Sequence, residues 1–291
     1  TYRALAHAQA SASNRSMAFL VDTDGNDTYY VEPDKQGSYA GLSYSDYPDK
    51  NGNWSQGCGF GNRAIVSGGI SGGIAGLIDL QGSDTYTGGI WVMGVGYWSG
   101  IGYLLDTDGN DVYTSCYYSQ ASTAHYGVGI LNDIGGDDVH TLTRSNYKES
   151  APASGASIGC VYDHGIGTFI NDGGNDSYSG YQTYCGVAWT WKATNMDADT
   201  RVQTLHYAFF IDTEGDDTYG GTYSKRGFGY GNGGFFIDGG GTDTYTGTYT
   251  GITDGGEYTD DAERDSGIAI DYDGNLPVFR AYELAKETFL A

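Results

Sequence analysis

With 291 residues, a formal net charge of -23 and only 14 Lys and Arg against 37 Asp and Glu, the chain lacks the basic face that nucleic-acid binding requires. Its 49 Gly and 27 Tyr beside only 4 Pro exclude collagen and proline-rich linkers and place glycine at frequent turns between short strands, an all-β composition. No run of 18 apolar residues occurs, which excludes a membrane-spanning helix.

In chain order, the first clear unit is the apolar strand Ala18-Phe19-Leu20-Val21, the turn Asp22-Thr23-Asp24-Gly25-Asn26-Asp27 and a second strand carrying Tyr29. The unit recurs. The pattern D-x-x-G-x-D-x-Y begins at Asp22, Asp79, Asp106, Asp133, Asn171, Asp212 and Asp238, and a truncated copy begins at Asp271. The position four residues before each anchor is Gly or Ala in all eight copies, which marks a tight contact, either a bend or a crowded interior. After the turn, Tyr29, Tyr86, Tyr113, His140, Tyr178, Tyr219 and Tyr245 share one offset. Thirteen residues before the anchor, Gln9, Met93, Gln120 and Lys225 align as part of a third element.

The anchor interval is 27 residues from Asp79 to Asp106 and from Asp106 to Asp133. Three short segments and three corners fit that length. One such coil cannot bury its apolar side alone, whereas parallel stacking at about 4.8 Å pairs every strand with its copies. The spacing therefore predicts a single-stranded parallel β-helix, or β-solenoid, of about 27 residues per coil and roughly eight coils, spanning residues 1–275. Equal offsets become ladders: Leu/Phe and Ile/Val along one sheet and Tyr along the next. Residues 276–291 read as a short amphipathic helix capping the C-terminal end. The segment from Thr1 to Ala12 continues the solenoid, which leaves an open edge for a preceding domain or for end-to-end self-association.

The turns hold most of the excess charge. Of the 37 acids, 21 lie in the eight six-residue turns, and no Lys or Arg does. Asp is a turn former in its own right, but that explains one acid per turn and leaves the second unexplained. Like charges in tight turns repel unless a cation lies between them. The candidate metal ligands are Asp22, Asp24 and Asp27; Asp79 and Asp84; Asp106, Asp108 and Asp111; Asp133 and Asp138; Asp172 and Asp176; Asp212 and Asp217; Asp238 and Asp243; and Asp271 and Asp273. An EF-hand is excluded, because Gly25 is at the fourth loop position and no Glu closes the loop.

The chain resembles right-handed parallel β-helix proteins, and Gly25-Asn26-Asp27-Thr28-Tyr29 and Gly241-Thr242-Asp243-Thr244-Tyr245 resemble the glycine and aspartate repeats of calcium-binding RTX β-rolls. The longer pattern is similar to bacterial surface repeat proteins. RTX repeats recur every nine residues, whereas this motif appears once per coil, so the resemblance implies structural Ca2+ at one corner of each coil.

Other signals are weaker. The insertions, placed at Val31–Asn53, Arg144–Gly155, Trp189–Leu205 and Thr250–Asp265, carry aromatics such as Tyr44, Tyr47, Trp54, Trp189 and Trp191 that suit a carbohydrate ligand or fold back on the solenoid. Asp163-His164, His206, the acidic run from Asp260 to Asp265, and the pair Lys225 and Arg226 are the only enzyme-like candidates, and none lies in a catalytic motif. His140 reads as a packed ring in the Tyr ladder. Thr85, Thr87, Thr244 and Thr246 sketch a flat threonine array of the ice-binding kind, interrupted by Val112 and Val139. Cys160 and Cys185 fall near one offset in adjacent coils, which predicts a disulfide; Cys58 shares the offset but lies about three coils away. The expectation is an extracellular or cell-surface, calcium-stabilised structural, adhesive or filament-forming protein without catalysis, with a carbohydrate-binding or polysaccharide-degrading β-helix as the alternative.

Overall fold

Alternation along the first strand of each copy decides which side chains face inward. In Gly127–Asp133, Gly129, Leu131 and Asp133 are buried while Val128, Ile130 and Asn132 are partly exposed, the period of two that a pleated strand imposes. The computed structural model describes residues 1–35, 49–61, 72–143, 157–162, 164–189, 206–230, 233–247, 257–259 and 267–272.

Equivalent strands pair in parallel, and within each large sheet the parallel strands follow chain order. One sheet runs Met17–Val21, Ile74–Ile78, Ile101–Asp106, Gly127–Asp133, Gly165–Asn171, His206–Asp212, Gly233–Asp238 and Gly267–Asp271. A second begins at Tyr2–Ala4 and Thr28–Val31 and carries the tyrosines through to Thr244–Tyr245. A third runs from Ser11–Ser13 through Cys58–Phe60 to Gly229–Tyr230. The molecule is all-β, with no helix among the described residues, and the long parallel sheets are compatible with a β-solenoid.

The register is the predicted one. Leu77, Leu104, Leu131, Phe169, Phe210 and Phe236 align in the interior, and the phenyl rings stack at 5.0 Å. Opposite them, Tyr2, Tyr29, Tyr86, Tyr113, His140, Tyr178, Tyr219 and Tyr245 form one ring column with centroids 4.6 to 5.0 Å apart. Such pairs contribute about 0.5–1.5 kcal/mol each beyond their buried area. The small residue four before the anchor marks a crowded interior: a Cβ on Gly102 would lie 2.0 Å from the Val95 carbonyl oxygen, and one on Gly267 2.1 Å from that of Gly227.

Several local expectations are corrected. The third-element column comprises Gln9, Gln56, Met93, Gln120, Ile158, Cys185 and Arg226. The Lys225 backbone pairs with Tyr184, and Arg226 with Cys185, because the last interval is one residue short. Three polar members cap the ends of the tyrosine strands: Gln9 Nε2 donates to the Tyr2 and Tyr30 carbonyls at 2.9 and 3.2 Å, Gln56 Nε2 to those of Tyr29 and Thr87 at 2.8 and 3.1 Å, and Arg226 to that of Tyr219 at 2.9 Å. The predicted disulfide between Cys160 and Cys185 is not formed, and all four cysteines are buried. Val161 pairs with Ala188, so Cys160 stacks on Val187, two residues past Cys185.

The insertion placed at Val31–Asn53 is shorter than expected. Val31 ends a ladder strand and is buried, and Gly52–Ser55 is itself a strand. Asn51 and Asn53 both donate to the Glu32 carbonyl at 2.9 Å, closing the gap from inside. Tyr44, Tyr47, Trp191, Arg144–Gly155 and the predicted helix at 276–291 lie outside the described residues. Among the described residues, Glu257–Thr259 pairs antiparallel with the last parallel strand, Gly267–Asp271.

Candidate metal centre

Each acidic turn is locked to its neighbours before any side chain meets another. The turn glycine adopts a conformation open only to glycine; at Gly109 φ is +143°, and a Cβ would lie 1.6 Å from the Gly82 carbonyl oxygen. Two side-chain ladders then run in opposite directions. At the fifth turn position, Ser83 N donates to Asn26 Oδ1, Asn110 N to Ser83 Oγ and Asp137 N to Asn110 Oδ1, at 3.0 to 3.1 Å. At the sixth, the backbone N–H of one copy donates to the aspartate of the following copy: Asp84 N to Asp111, Asp111 N to Asp138, Asp138 N to Asp176 and Asp176 N to Asp217, at 2.5 to 2.7 Å.

The anchor acid is held from another direction. Tyr86 donates its hydroxyl to Asp106 Oδ2 at 2.6 Å, Tyr113 to Asp133 Oδ2 at 2.6 Å and Tyr178 to Asp212 Oδ2 at 2.7 Å. These ladder tyrosines thus serve the anchor of the next copy and fix one carboxylate oxygen, whereas Tyr219 and Tyr245 donate to the anchors of their own copies, Asp212 at 3.1 Å and Asp238 at 2.8 Å.

In most of these acids the other oxygen has no donor; Asp79, Asp176 and Asp217 are exceptions, which accept on both. Asp106 Oδ1, Asp111 Oδ2, Asp133 Oδ1, Asp138 Oδ2, Asp84 Oδ2, Asp212 Oδ1 and Asp238 Oδ1 are buried without a hydrogen-bond partner. Within a turn the two carboxyl groups meet: Asp106 and Asp111, Asp133 and Asp138, and Asp212 and Asp217 are within hydrogen-bonding reach. Two buried acceptors in contact cannot both be charged without a proton or a cation between them. Burial is the main cause of their raised pKa values: about 7 for Asp84, 6 for Asp106 and 9 for Asp111. The copy that begins with Asn171 shows the contrast. Its amide donates to Asp176 Oδ2 at 2.8 Å, so the pair is satisfied without either.

These acids gather in clusters whose ligand atoms lie within 4.8 Å of one another: Asp84 with Asp106 and Asp111, Asp176 with Asp212 and Asp217, Asp217 with Asp238 and Asp243, and Asp133 with Asp138 and His140. The first three join adjacent copies and offer only oxygen, a donor set that fits a hard divalent cation. Several buried acidic clusters can therefore hold a metal ion.

Not every acid proposed from the sequence takes part. Asp24 and Asp108, at the third turn position, are exposed, and Asp172 accepts from the Thr213 hydroxyl at 2.9 Å. At the first copy, Asp22 accepts from Tyr2 and Asp27 from the Thr1 amino group. Asp79 accepts from Tyr29, Asp271 is buried, and Asp273 lies outside the described residues. The motif did not reveal His140 beside Asp133 and Asp138, because its offset marks only a ring column. Burial holds this imidazole neutral, with a pKa lowered to about 3. Of the enzyme-like candidates, His206 is buried and stacks on His164 at 5.0 Å, while Asp163 and residues 260–265 lie outside the described residues. No family model, curated protein or solved structure matches the chain.

Proposed function

We propose that the chain is a single-stranded parallel β-solenoid of about eight coils, stabilised by calcium, with a structural or adhesive role at the cell surface or outside the cell and no catalytic one. The observation that carries this reading is the repeated buried acid pair. At Asp106 and Asp111, tyrosine and backbone donors occupy one oxygen of each carboxyl and leave the other without a partner. Oxygen-only clusters suit Ca2+, and an ion held between adjacent copies couples their stability to metal. The same burial argues against catalysis, since acids at 0% exposure such as Asp106 and Asp133 meet no substrate.

The outer surface supports a part in association. On the first sheet, Met17, Phe19, Val21, Ile74, Ile101, Ile166 and Tyr207 are exposed apolar side chains, and no outward position of its eight parallel strands is charged. Exposure is highest at the edge strand, where Met17 is 66% and Phe19 54% exposed.

Thermal unfolding of the chelator-treated protein, with and without added Ca2+, tests the proposal together with elemental analysis. Retained calcium and a melting temperature raised by about 10 °C or more are expected, the scale of several bound ions stabilising only the folded state. An unchanged melting temperature with no bound calcium sinks the calcium reading. Turnover of an acidic polysaccharide would sink the non-catalytic one.

A further inference from the structure

The tyrosine column is interrupted at His140, whose ring stacks between Tyr113 at 4.6 Å and Tyr178 at 5.0 Å. The acid that a tyrosine there would serve is also replaced, because the next anchor is Asn171. Both changes fall at one level, and together they exchange a phenol–carboxylate pair for an imidazole and an amide.

The hydrogen-bond chain orients the imidazole. Gln120 Nε2 donates to Ser115 Oγ at 2.8 Å, which turns Gln120 Oε1 toward His140 Nδ1 at 2.9 Å. Nδ1 therefore carries the proton and donates, and Nε2 presents a lone pair. His140 is 0% exposed, and Nε2 has no hydrogen-bond partner. Around it are Asp133 and Asp138, whose Oδ1 and Oδ2 respectively are also without a donor. Asn171 is adjacent: its side-chain amide reaches Asp138 as a donor.

We propose that Asp133, Asp138 and His140 form a binding site for a divalent transition-metal ion of the Zn2+ class. Three lone-pair donors converge within 4.8 Å with no hydrogen bond from Nε2 to either acid. Tetrahedral bonds of about 2.0–2.2 Å set ligand atoms about 3.3–3.6 Å apart, so side-chain rotations must draw the set together on one ion. Imidazole nitrogen favours Zn2+ and its neighbours over Ca2+, which selects oxygen. The Gln120 contact to the opposite ring nitrogen is the kind of outer support that fixes a metal-binding histidine. The site stands on its own donors and does not require the other clusters to hold calcium.

The test is to refold the full chain from denaturant with Co2+ in the presence of excess Ca2+, remove loose metal, and record cobalt content and the ligand-field spectrum. The wild-type chain is expected to retain about one Co2+ with bands of a nitrogen- and oxygen-ligated ion, displaceable by Zn2+. The double variant His140→Tyr/Asn171→Asp, which restores the pair used by the other copies, is expected to retain none while keeping its calcium-dependent melting shift. His140→Phe, which keeps a stacking ring but no ligand, is expected to lose cobalt equally and serves where the double variant does not fold. Cobalt uptake by neither wild type nor variants, equal uptake by all, or nitrogen NMR showing an imidazolium protonated at both nitrogens in the Co2+- or Zn2+-treated chain overturns the proposal. Loss of the calcium response with cobalt uptake intact overturns only the calcium reading.

Discussion

Two buried acids with no donor between them make the sign of one substitution depend on metal. Asn171 already shows the neutral solution, donating to Asp176 at 2.8 Å, so Asp106→Asn places the same amide against Asp111. In chelator this variant is expected to be more stable than wild type by about 1–2 kcal/mol, because a hydrogen bond replaces a contact between two acceptors. In saturating Ca2+ it is expected to be less stable by a similar amount, since one carboxylate ligand is lost. Urea midpoints under the two conditions check this; the same sign in both would show that no cation enters the pair. The second acid of the turn was legible in the sequence because turn chemistry needs only one. The partnership of the anchor acid with a tyrosine in the preceding copy was not, since Tyr86 reaches Asp106 across 20 residues and only the stacked register brings them together. His140 and Asn171 were visible as two exceptions, but their adjacency depends on that same register.

At the scale of the turn, conformation and crowding separate at two glycines. Gly109 has φ +143° and would place a Cβ 1.6 Å from the Gly82 carbonyl oxygen, whereas Gly173 has φ +90° and nothing within 4 Å. Gly173→Ala is expected to cost only the left-handed backbone, about 1–2 kcal/mol. Gly109→Ala must also push two copies apart and break the Asp84 N to Asp111 bond beside it, at about 4 kcal/mol or more. Chemical denaturation of both variants measures the difference, and equal costs would mean that the turns do not stack as closely as described. The turn glycine was plain in the pattern, and so was the ladder order. The Gln column was read only in part: residues 62–71 interrupt the copy between Cys58–Phe60 and Ile74–Ile78, so Gln56 escapes a fixed count back from Asp79. Counting forward from the tyrosine strand fails as well, because another insertion follows Val31. Offsets survive only where no loop intervenes, which is why the acidic turn and its two flanking strands were the legible part.

For the whole molecule, the buried acids decide how stability responds to pH. Burial raises Asp138 to about 6, Asp217 to about 7, and Asp176 and Asp238 to about 9, against about 3.9 in an unfolded chain. Without metal, the folded state therefore binds more protons than the unfolded state between those values, and stability falls as pH rises. It is complete below about pH 4 and is lost progressively as pH rises through 6 to 9. With Ca2+ bound, the carboxylates are ionised in the folded protein, and protons compete with the metal; stability then rises with pH over the same range until the sites are saturated. The expected result is a pair of melting-temperature curves of opposite slope between pH 5 and 8, one in chelator and one in Ca2+. The exposed acids, part of a net charge of -23, repel one another increasingly from pH 4 to 6. Added salt, at about 0.5 M, screens that surface contribution but not the buried one. A falling curve in chelator that persists in high salt assigns the effect to the buried pairs. A curve in chelator that rises with pH would show that they ionise in the folded chain without a cation, and would remove the basis for placing one there.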